Sequence, residues 1–393
     1  MYDFDSKIDR HNTNSVKWSG AQDRYKNPDI LPMWVADMDF ASPKEVIESL
    51  KNTATNEIFG YSLPPTWNKE LLKSVRLWIK RRNEWDISFE QLGFSSGVIP
   101  ALSFAIKATT AENDAIILQS PYYGHFKTLL DDTHRKLINN PLIQNEYGYE
   151  LDLDDFEQKI VDNNVKAFIL CNPHNPTGRV WSENELISLA KICEKHDVWI
   201  LSDDIHSDLI MPGYNYQPLA KIFKQYADHI ITFKSVSKTF NLAGIQSAYY
   251  ISENLELLEK MKKIRDESFN PELLNSFATP AIISAYSFGD SWLKSVIKYI
   301  ESNYNFADNF IHTELPKAKV ANLEATYLVW IDVSYLNISE EQLLKHLDDA
   351  GLGVETSSEF GLTDPHKLFI RMNIATQREN VELGLKRLKE ALS

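Results

Sequence analysis

Lys238 is the residue around which chemistry can be built. It stands in Ser235-Val-Ser237-Lys238, directly after an apolar stretch, so one amine and two hydroxyls fall within four residues. An amine forms a Schiff base with an aldehyde, and hydroxyls with backbone N–H groups receive a phosphate. Pyridoxal phosphate presents both groups. The same cofactor needs a carboxylate at its pyridine nitrogen, because a protonated ring nitrogen makes the ring an electron sink. Leu201-Ser-Asp203-Asp204-Ile-His206 offers one at the end of the apolar run 198–201. Ligands of α/β sheets gather at the carboxyl ends of strands. Taken singly, Lys238 reads as a surface loop lysine and Asp203-Asp204 as an exposed acid pair.

A second centre competes. Gly93-Phe-Ser95-Ser-Gly97 fits the GxSxG pattern of a hydrolase nucleophile elbow, with Ser95 as nucleophile. Such an elbow should close a strongly apolar strand, and Phe89-Glu-Gln-Leu92 makes a poor one. GxGxxG, Walker A and HExxH patterns are absent, and the ten histidines and two cysteines lack zinc-site spacing.

The elements that must position these residues follow from patterning. Short, continuous apolar runs at 115–118, 165–170, 198–201, 229–233 and 248–251 suit strands buried on both faces. Between them lie helical periods at 98–110, 127–133 and 182–196, the last opened by a Ser182–Glu185 capping box. This alternation predicts an α/β domain with a mostly parallel sheet. Upstream, 43–53 reads as a helix with Ser42 as N-cap, and 66–82 as another. Downstream, helices are expected at 254–267, 272–287 and 290–314. Strands at 326–333 and 368–373 then alternate with helices at 339–350 and 377–391. The expected organisation is an N-terminal segment 1–45 joining a small domain, a large cofactor-binding domain 46–287, and a small α+β domain 288–393.

Four segments in fixed order carry a resemblance: Cys171-Asn-Pro-His-Asn175-Pro-Thr-Gly178, Ser202-Asp-Asp-Ile-His206, Ser235-Val-Ser-Lys238 and Phe369-Ile-Arg371-Met-Asn. The chain resembles fold type I pyridoxal-phosphate enzymes, the aspartate aminotransferase superfamily. Within it, Trp34-Val-Ala-Asp37-Met-Asp39-Phe40, Asn14-Ser-Val-Lys-Trp18, Phe59-Gly-Tyr61 and Ser237-Lys-Thr-Phe-Asn241 are similar to the MalY/PatB group of carbon–sulfur β-lyases. The resemblance implies that Lys238 is the Schiff-base lysine and proton shuttle, and that Asp203 pairs with the pyridinium. It implies that His206 and Asn175 serve the ring-hydroxyl side, and that Tyr123 stacks on the ring, with Tyr122 as a competitor. The phosphate would sit on the backbone of Val98 and Ile99 at a helix N-terminus, with Ser235 and Ser237. Aminotransferases often carry an arginine eight residues after the lysine; Gln246 stands there. Arg371 would grip the substrate carboxylate bidentately. Trp34, Asp37, Tyr327 and Trp330 would line the substrate side. Tyr61 would reach the phosphate from a neighbouring subunit, which implies a homodimer.

The activity so implied is α,β-elimination from cystathionine or related cysteine S-conjugates, giving a thiol, pyruvate and ammonia. An aminotransferase on the same scaffold is the alternative, a binding or regulatory protein a second, and the Ser95 hydrolase a remote one. Composition bounds all of them. With 41 Lys and Arg against 55 Asp and Glu, the net charge is −14, and nucleic-acid partners need basic stripes. No run approaches the roughly 18 apolar residues of a membrane span. The polar start and only two cysteines predict a cytoplasmic protein without a secretory leader.

Overall fold

The computed structural model describes residues 2–146, 148–268 and 274–393. Its centre is a seven-stranded sheet. In chain order the strands are β1 (Leu92–Ser95), β2 (Ala115–Leu118), β3 (Lys136–Asn139), β4 (Ala167–Cys171), β5 (Trp199–Asp203), β6 (Ile230–Lys234) and β7 (Ala248–Ile251). They lie in the order β1-β7-β6-β5-β4-β2-β3, and both pairings of β7 are antiparallel while the other four are parallel. Six strands therefore point their carboxyl ends to one edge. Full burial of β2, β4 and β6 explains their unbroken apolar runs.

Helices cover both faces. The first are α1 (Lys44–Thr55), α2 (Lys69–Asn83), α3 (Val98–Thr109) and α4 (Glu183–Lys195). There follow α5 (Leu255–Glu267), α6 (Ala278–Phe288) and α7 (Asp290–Glu314). The expected capping box on α4 is present: Ser182 accepts from the Glu185 N–H, and the Glu185 carboxylate accepts from the Ser182 N–H. The expected Ser42 cap on α1 is not. Pro43 is the N-cap residue, and the Ser42 hydroxyl donates instead to Asn241 O. The expected helix 272–287 begins, at 272 and 273, outside the described residues; residues 274–277 are coil and turn, and α6 starts only at Ala278.

Helix α6 packs on α1 and α2, whereas α7, which follows after Gly289, packs on the C-terminal part of the chain. That part holds a four-stranded antiparallel sheet of β8 (Lys319–Val320), β9 (Leu328–Asp332), β10 (Glu355–Thr356) and β11 (Phe369–Asn373), in the order β8-β9-β11-β10. Helices α8 (Glu340–Asp349) and α9 (Arg378–Ala391) complete it. The N-terminal segment belongs partly to this unit, since Leu31-Pro32 pairs in parallel with Leu352-Gly353. Beyond that pair it runs as a strap, residues 34–40, between the two sheets. Asn241 fixes the strap to the large unit by donating to Met38 O and Phe40 O, and Asn373 fixes it to the small one through Val35 O and Asp37 O.

Candidate active site

The carboxyl edge of the large sheet faces a cavity of about 750 Å³. Strand β5 ends at Asp203 and β4 at Cys171, its register partner. Strand β6 ends at Lys234, and Ser235 then turns the chain into the short helix Val236–Thr239, which carries Lys238. Strand β1 ends at Ser95, and α3 begins three residues later. Its N-cap residue, Gly97, gives no side-chain cap to the first-turn N–H groups. Arg371 enters from β11, across the cavity.

Lys238 is partly buried, and its ammonium donates to Ala36 O at 2.7 Å. Burial lowers its pKa to about 8, helped by the positive charge of Arg371. A substantial neutral fraction near physiological pH makes it a usable nucleophile and base. Asp203 shows the opposite shift. Burial raises its carboxyl to about 7, against the Ile205 N–H at 3.2 Å and the charge of Lys238. His206 is held neutral, its pKa pushed well below the usual imidazole value by burial and then by Lys238 and Arg371. Its Nδ1 finds no hydrogen-bond partner among the described residues, and its ring stands edge-on to Tyr327 at 6.3 Å.

Arg371 is sandwiched between the two units. Its Nη1 donates to Asn175 Oδ1 at 3.1 Å, and its Nη2 donates to Trp34 O at 3.0 Å and pairs with Glu355. The guanidinium also lies 4.9 Å over the Phe360 ring. Tyr123 lines the cavity, and burial pushes its hydroxyl up to about 12. Tyr122 lines it too, packed so closely on Gly361 that a Cβ there would lie 2.2 Å from the ring; Gly361 has φ +72°.

Eleven of the fifteen expected site residues thus border one cavity: Trp34, Val98, Ile99, Tyr123, Asn175, Asp203, His206, Ser235, Ser237, Lys238 and Arg371. Ser235 is largely committed to holding the turn, since its hydroxyl donates to Ser247 O and accepts from the Ser237 N–H. Four residues stand elsewhere. Asp37 does not border the cavity, because both its oxygens accept from Arg10, at 3.1 and 2.7 Å. Tyr61 is 98% exposed and does not border its own chain's cavity. Trp330, expected on the substrate side, is instead core: it stacks on Phe369 and donates to the Tyr149 hydroxyl. Tyr327, expected there too, is buried outside the cavity lining and donates to Ala36 O at 2.8 Å.

Patterning gave no sign of two participants. One is Glu355, which reaches Arg371 only through the cross-strand register of β10 and β11. The other is the Ala36 carbonyl, a backbone group that side-chain identity cannot reveal. The hydrolase alternative loses its support here. Ser95 Oγ is buried with no hydrogen-bond partner among the described residues, so no base activates it. Among the described residues there is also no cluster of metal-ligating side chains, and no helix long and apolar enough to cross a membrane.

Known proteins share this arrangement along the whole chain. Residues 28–388 match the family model for aminotransferase class I and II. Cystathionine beta-lyase PatB of Bacillus subtilis is 38% identical over 99% of this chain and 100% of its own. The pyridoxal-phosphate-bound C–S lyase of Staphylococcus hominis is 35% identical, with a TM-score of 0.91 over 100% of this chain and 98% of that one. Cystalysin from Treponema denticola, which contains pyridoxal 5′-phosphate, is 34% identical, with a TM-score of 0.94 over 100% and 99%. Fold, cavity and likeness along the full length agree: the chain belongs to the class I and II aminotransferase family, with the fold type I architecture.

Proposed function

We propose that this protein is a pyridoxal-phosphate-dependent carbon–sulfur β-lyase that releases a thiol, pyruvate and ammonia from cystathionine or related cysteine S-conjugates. The observation that carries the proposal is the convergence of Lys238, Asp203 and Arg371 on one cavity. The residues present fit the cofactor. Asp203 is a buried carboxylate whose pKa burial raises, with the Ile205 N–H and Lys238 offsetting this only in part, so a pyridinium would be a favourable partner. His206 Nδ1 has no partner among the described residues, and the first turn of α3 is uncapped, as a ring hydroxyl and a phosphate would use them. Val98, Ile99, Ser235 and Ser237 would hold the phosphate, Asn175 and His206 the ring hydroxyl, and Tyr123 the ring face. When bound, the cofactor supplies an aldehyde that takes up an amine and a ring that stores the electron pair left at Cα.

The chain's own residues do the rest. Arg371 orients the amino acid by its carboxylate. Lys238, with its lowered pKa, takes the Cα proton. The strap carbonyl of Ala36 fixes the amine's position before substrate arrives. Loss of the Cα proton and of the Cβ thiolate leaves an enamine, whose hydrolysis yields pyruvate and ammonia. Cystathionine would give homocysteine. The names of PatB and the S. hominis lyase favour elimination over amino transfer, which would use the same lysine, aspartate and arginine.

The reading includes a homodimer in a cytoplasmic setting. Ile58, Phe59, Tyr61, Leu63 and Trp67 form an exposed run that a second copy would cover, delivering Tyr61 to the partner's phosphate site. Mixing Tyr61→Phe chains with Lys238→Ala chains should then partly restore activity, by giving hybrid dimers one intact site. No recovery despite demonstrated subunit exchange would sink the shared site.

The decisive assay offers L-cystathionine without a keto acid. Pyruvate and free thiol in equal amounts are expected. Amino exchange that requires a keto acid, with no thiol, would instead establish the aminotransferase.

A further inference from the structure

The assignment of Arg371 to the substrate carboxylate is the reading on which the following rests. A guanidinium can grip a carboxylate bidentately along two edges, Nη1 with Nη2 or Nε with Nη2, and each edge spends one hydrogen of Nη2. Trp34 O accepts a hydrogen bond from Nη2, and the Glu355 carboxylate lies against the same nitrogen as an ion pair. A substrate carboxylate therefore meets an occupied Nη2 on either edge until one partner leaves.

The two partners are not equally free to leave. Trp34 O belongs to the strap. Its neighbours Val35 O and Asp37 O are tied to Asn373 at 2.7 and 2.6 Å, and the Trp34 indole donates to Lys17 O at 3.2 Å. Glu355 is a side chain at the start of a two-residue strand, opposite Arg371, and it borders the cavity. Its side chain retains 19% exposure, so it has open space to swing into. The charged groups facing it are Arg371, Lys238, Arg24 and Glu359.

We propose that Glu355 is an internal carboxylate holding the substrate's place on Arg371, displaced when an amino acid binds and then retained in the cavity as an anion. Two consequences follow. Binding of any carboxylate is weakened by the cost of displacing Glu355. A ligand whose far end is a net anion is disfavoured further, because the released Glu355 repels it, so the cavity prefers substrates whose far end is cationic, neutral or, as in cystathionine, zwitterionic.

The test measures binding of propionate, glutarate and propionamide to the cofactor-loaded enzyme by calorimetry. Parent, Glu355→Gln, Glu355→Ala and Arg371→Lys proteins are compared. Glu355→Gln should bind propionate on the order of tenfold more tightly than the parent, the equivalent of one weakened charge-assisted contact. Glutarate should gain more than propionate, and uncharged propionamide should not change. With cysteine S-conjugates the same variant should lower KM more than it alters kcat. Arg371→Lys should abolish propionate binding. If both Glu355 variants bind propionate no more tightly than the parent while Arg371→Lys still abolishes it, Glu355 is only structural and the inference falls, leaving Arg371 as the carboxylate site. Unchanged propionate binding in Arg371→Lys would overturn the carboxylate site and the inference together. An equal gain for glutarate and propionate would overturn the discrimination against a net-anionic far end.

Discussion

Two acid–lysine pairs stand back to back where β5 and β6 end, and their environments are opposite. At the rear, Asp204 accepts from the Ser202 hydroxyl at 2.5 Å and from the Tyr216 hydroxyl. Lys234 donates to Asn83 Oδ1 at 3.3 Å and sits 5.1 Å over the Tyr216 ring. At the front, Asp203 has the Ile205 N–H, and Lys238 has the Ala36 carbonyl. Burial raises both aspartates to about 7 and lowers both lysines, to about 8 for Lys238. Perturbed ionisation alone therefore does not separate function from structure. Partner count does: the rear acid is satisfied by protein groups, and the front pair is left short, beside a cavity.

That contrast can be broken by substitution, beginning with the largest effect. Lys238→Ala should cut thiol release by about ten-thousandfold or more, the scale of losing a positioned acid–base group, with the fold intact by circular dichroism. Asp203→Asn should cost about a hundredfold to a thousandfold in kcat/KM, as for other preorganised charge contacts.

Stability should rank the two acids in reverse. In cofactor-free protein, Asp203→Asn removes an under-partnered buried charge and should raise Tm at pH 8, whereas Asp204→Asn removes a charge but also weakens the Ser202 and Tyr216 hydroxyl bonds and should gain less, by about 1–3 kcal/mol in denaturant melts. The pH dependence has a definite sign. Because folding raises the Asp203 pKa from 3.8 to about 7, the folded chain binds more protons than the unfolded chain between those values. Its contribution is present at low pH and lost as pH rises towards 7. The Tm advantage of Asp203→Asn should therefore shrink to nothing near pH 4. A constant advantage across that window would show that residue 203 is not titrating as described.

The smallest effect concerns the strap. Tyr327→Phe leaves Ala36 O to Lys238 alone, and one lost hydrogen bond of about 1 kcal/mol predicts a change of roughly fivefold in kcat/KM. An effect as large as that of Asp203→Asn would mean that Tyr327 touches the reacting atoms.

Much of this molecule was legible from residue order. Strands β2 and β7 match their apolar runs residue for residue, because a strand buried on both faces must be continuously apolar. Helix α7 matches 290–314 for the corresponding helical reason. Strand β1 escaped, since Leu-Gly-Phe-Ser has no strand signature and its burial comes from pairing with β7. Two-residue strands such as β10 escaped as well, and Glu355 with them. Lys238, Asp203 and Arg371, each unremarkable alone, were singled out by the motifs that follow one another in fixed order, and all three border one cavity. Asp37 was misread as facing substrate because nothing local announces that Arg10, twenty-seven positions earlier, claims both its oxygens.

The strap has one more implication, in time rather than space. Its residues leave the ribosome well before the C-terminal strand that supplies one of its anchors. Val35 O and Asp37 O accept from Asn373, 338 and 336 positions on. Contacts so distant in sequence form late. The carbonyls that steady Lys238 and Arg371 thus have no fixed position until the C-terminal sheet exists. A nascent or C-terminally truncated chain would hold the large sheet and its lysine without a working site, so partly made copies would not release thiols prematurely.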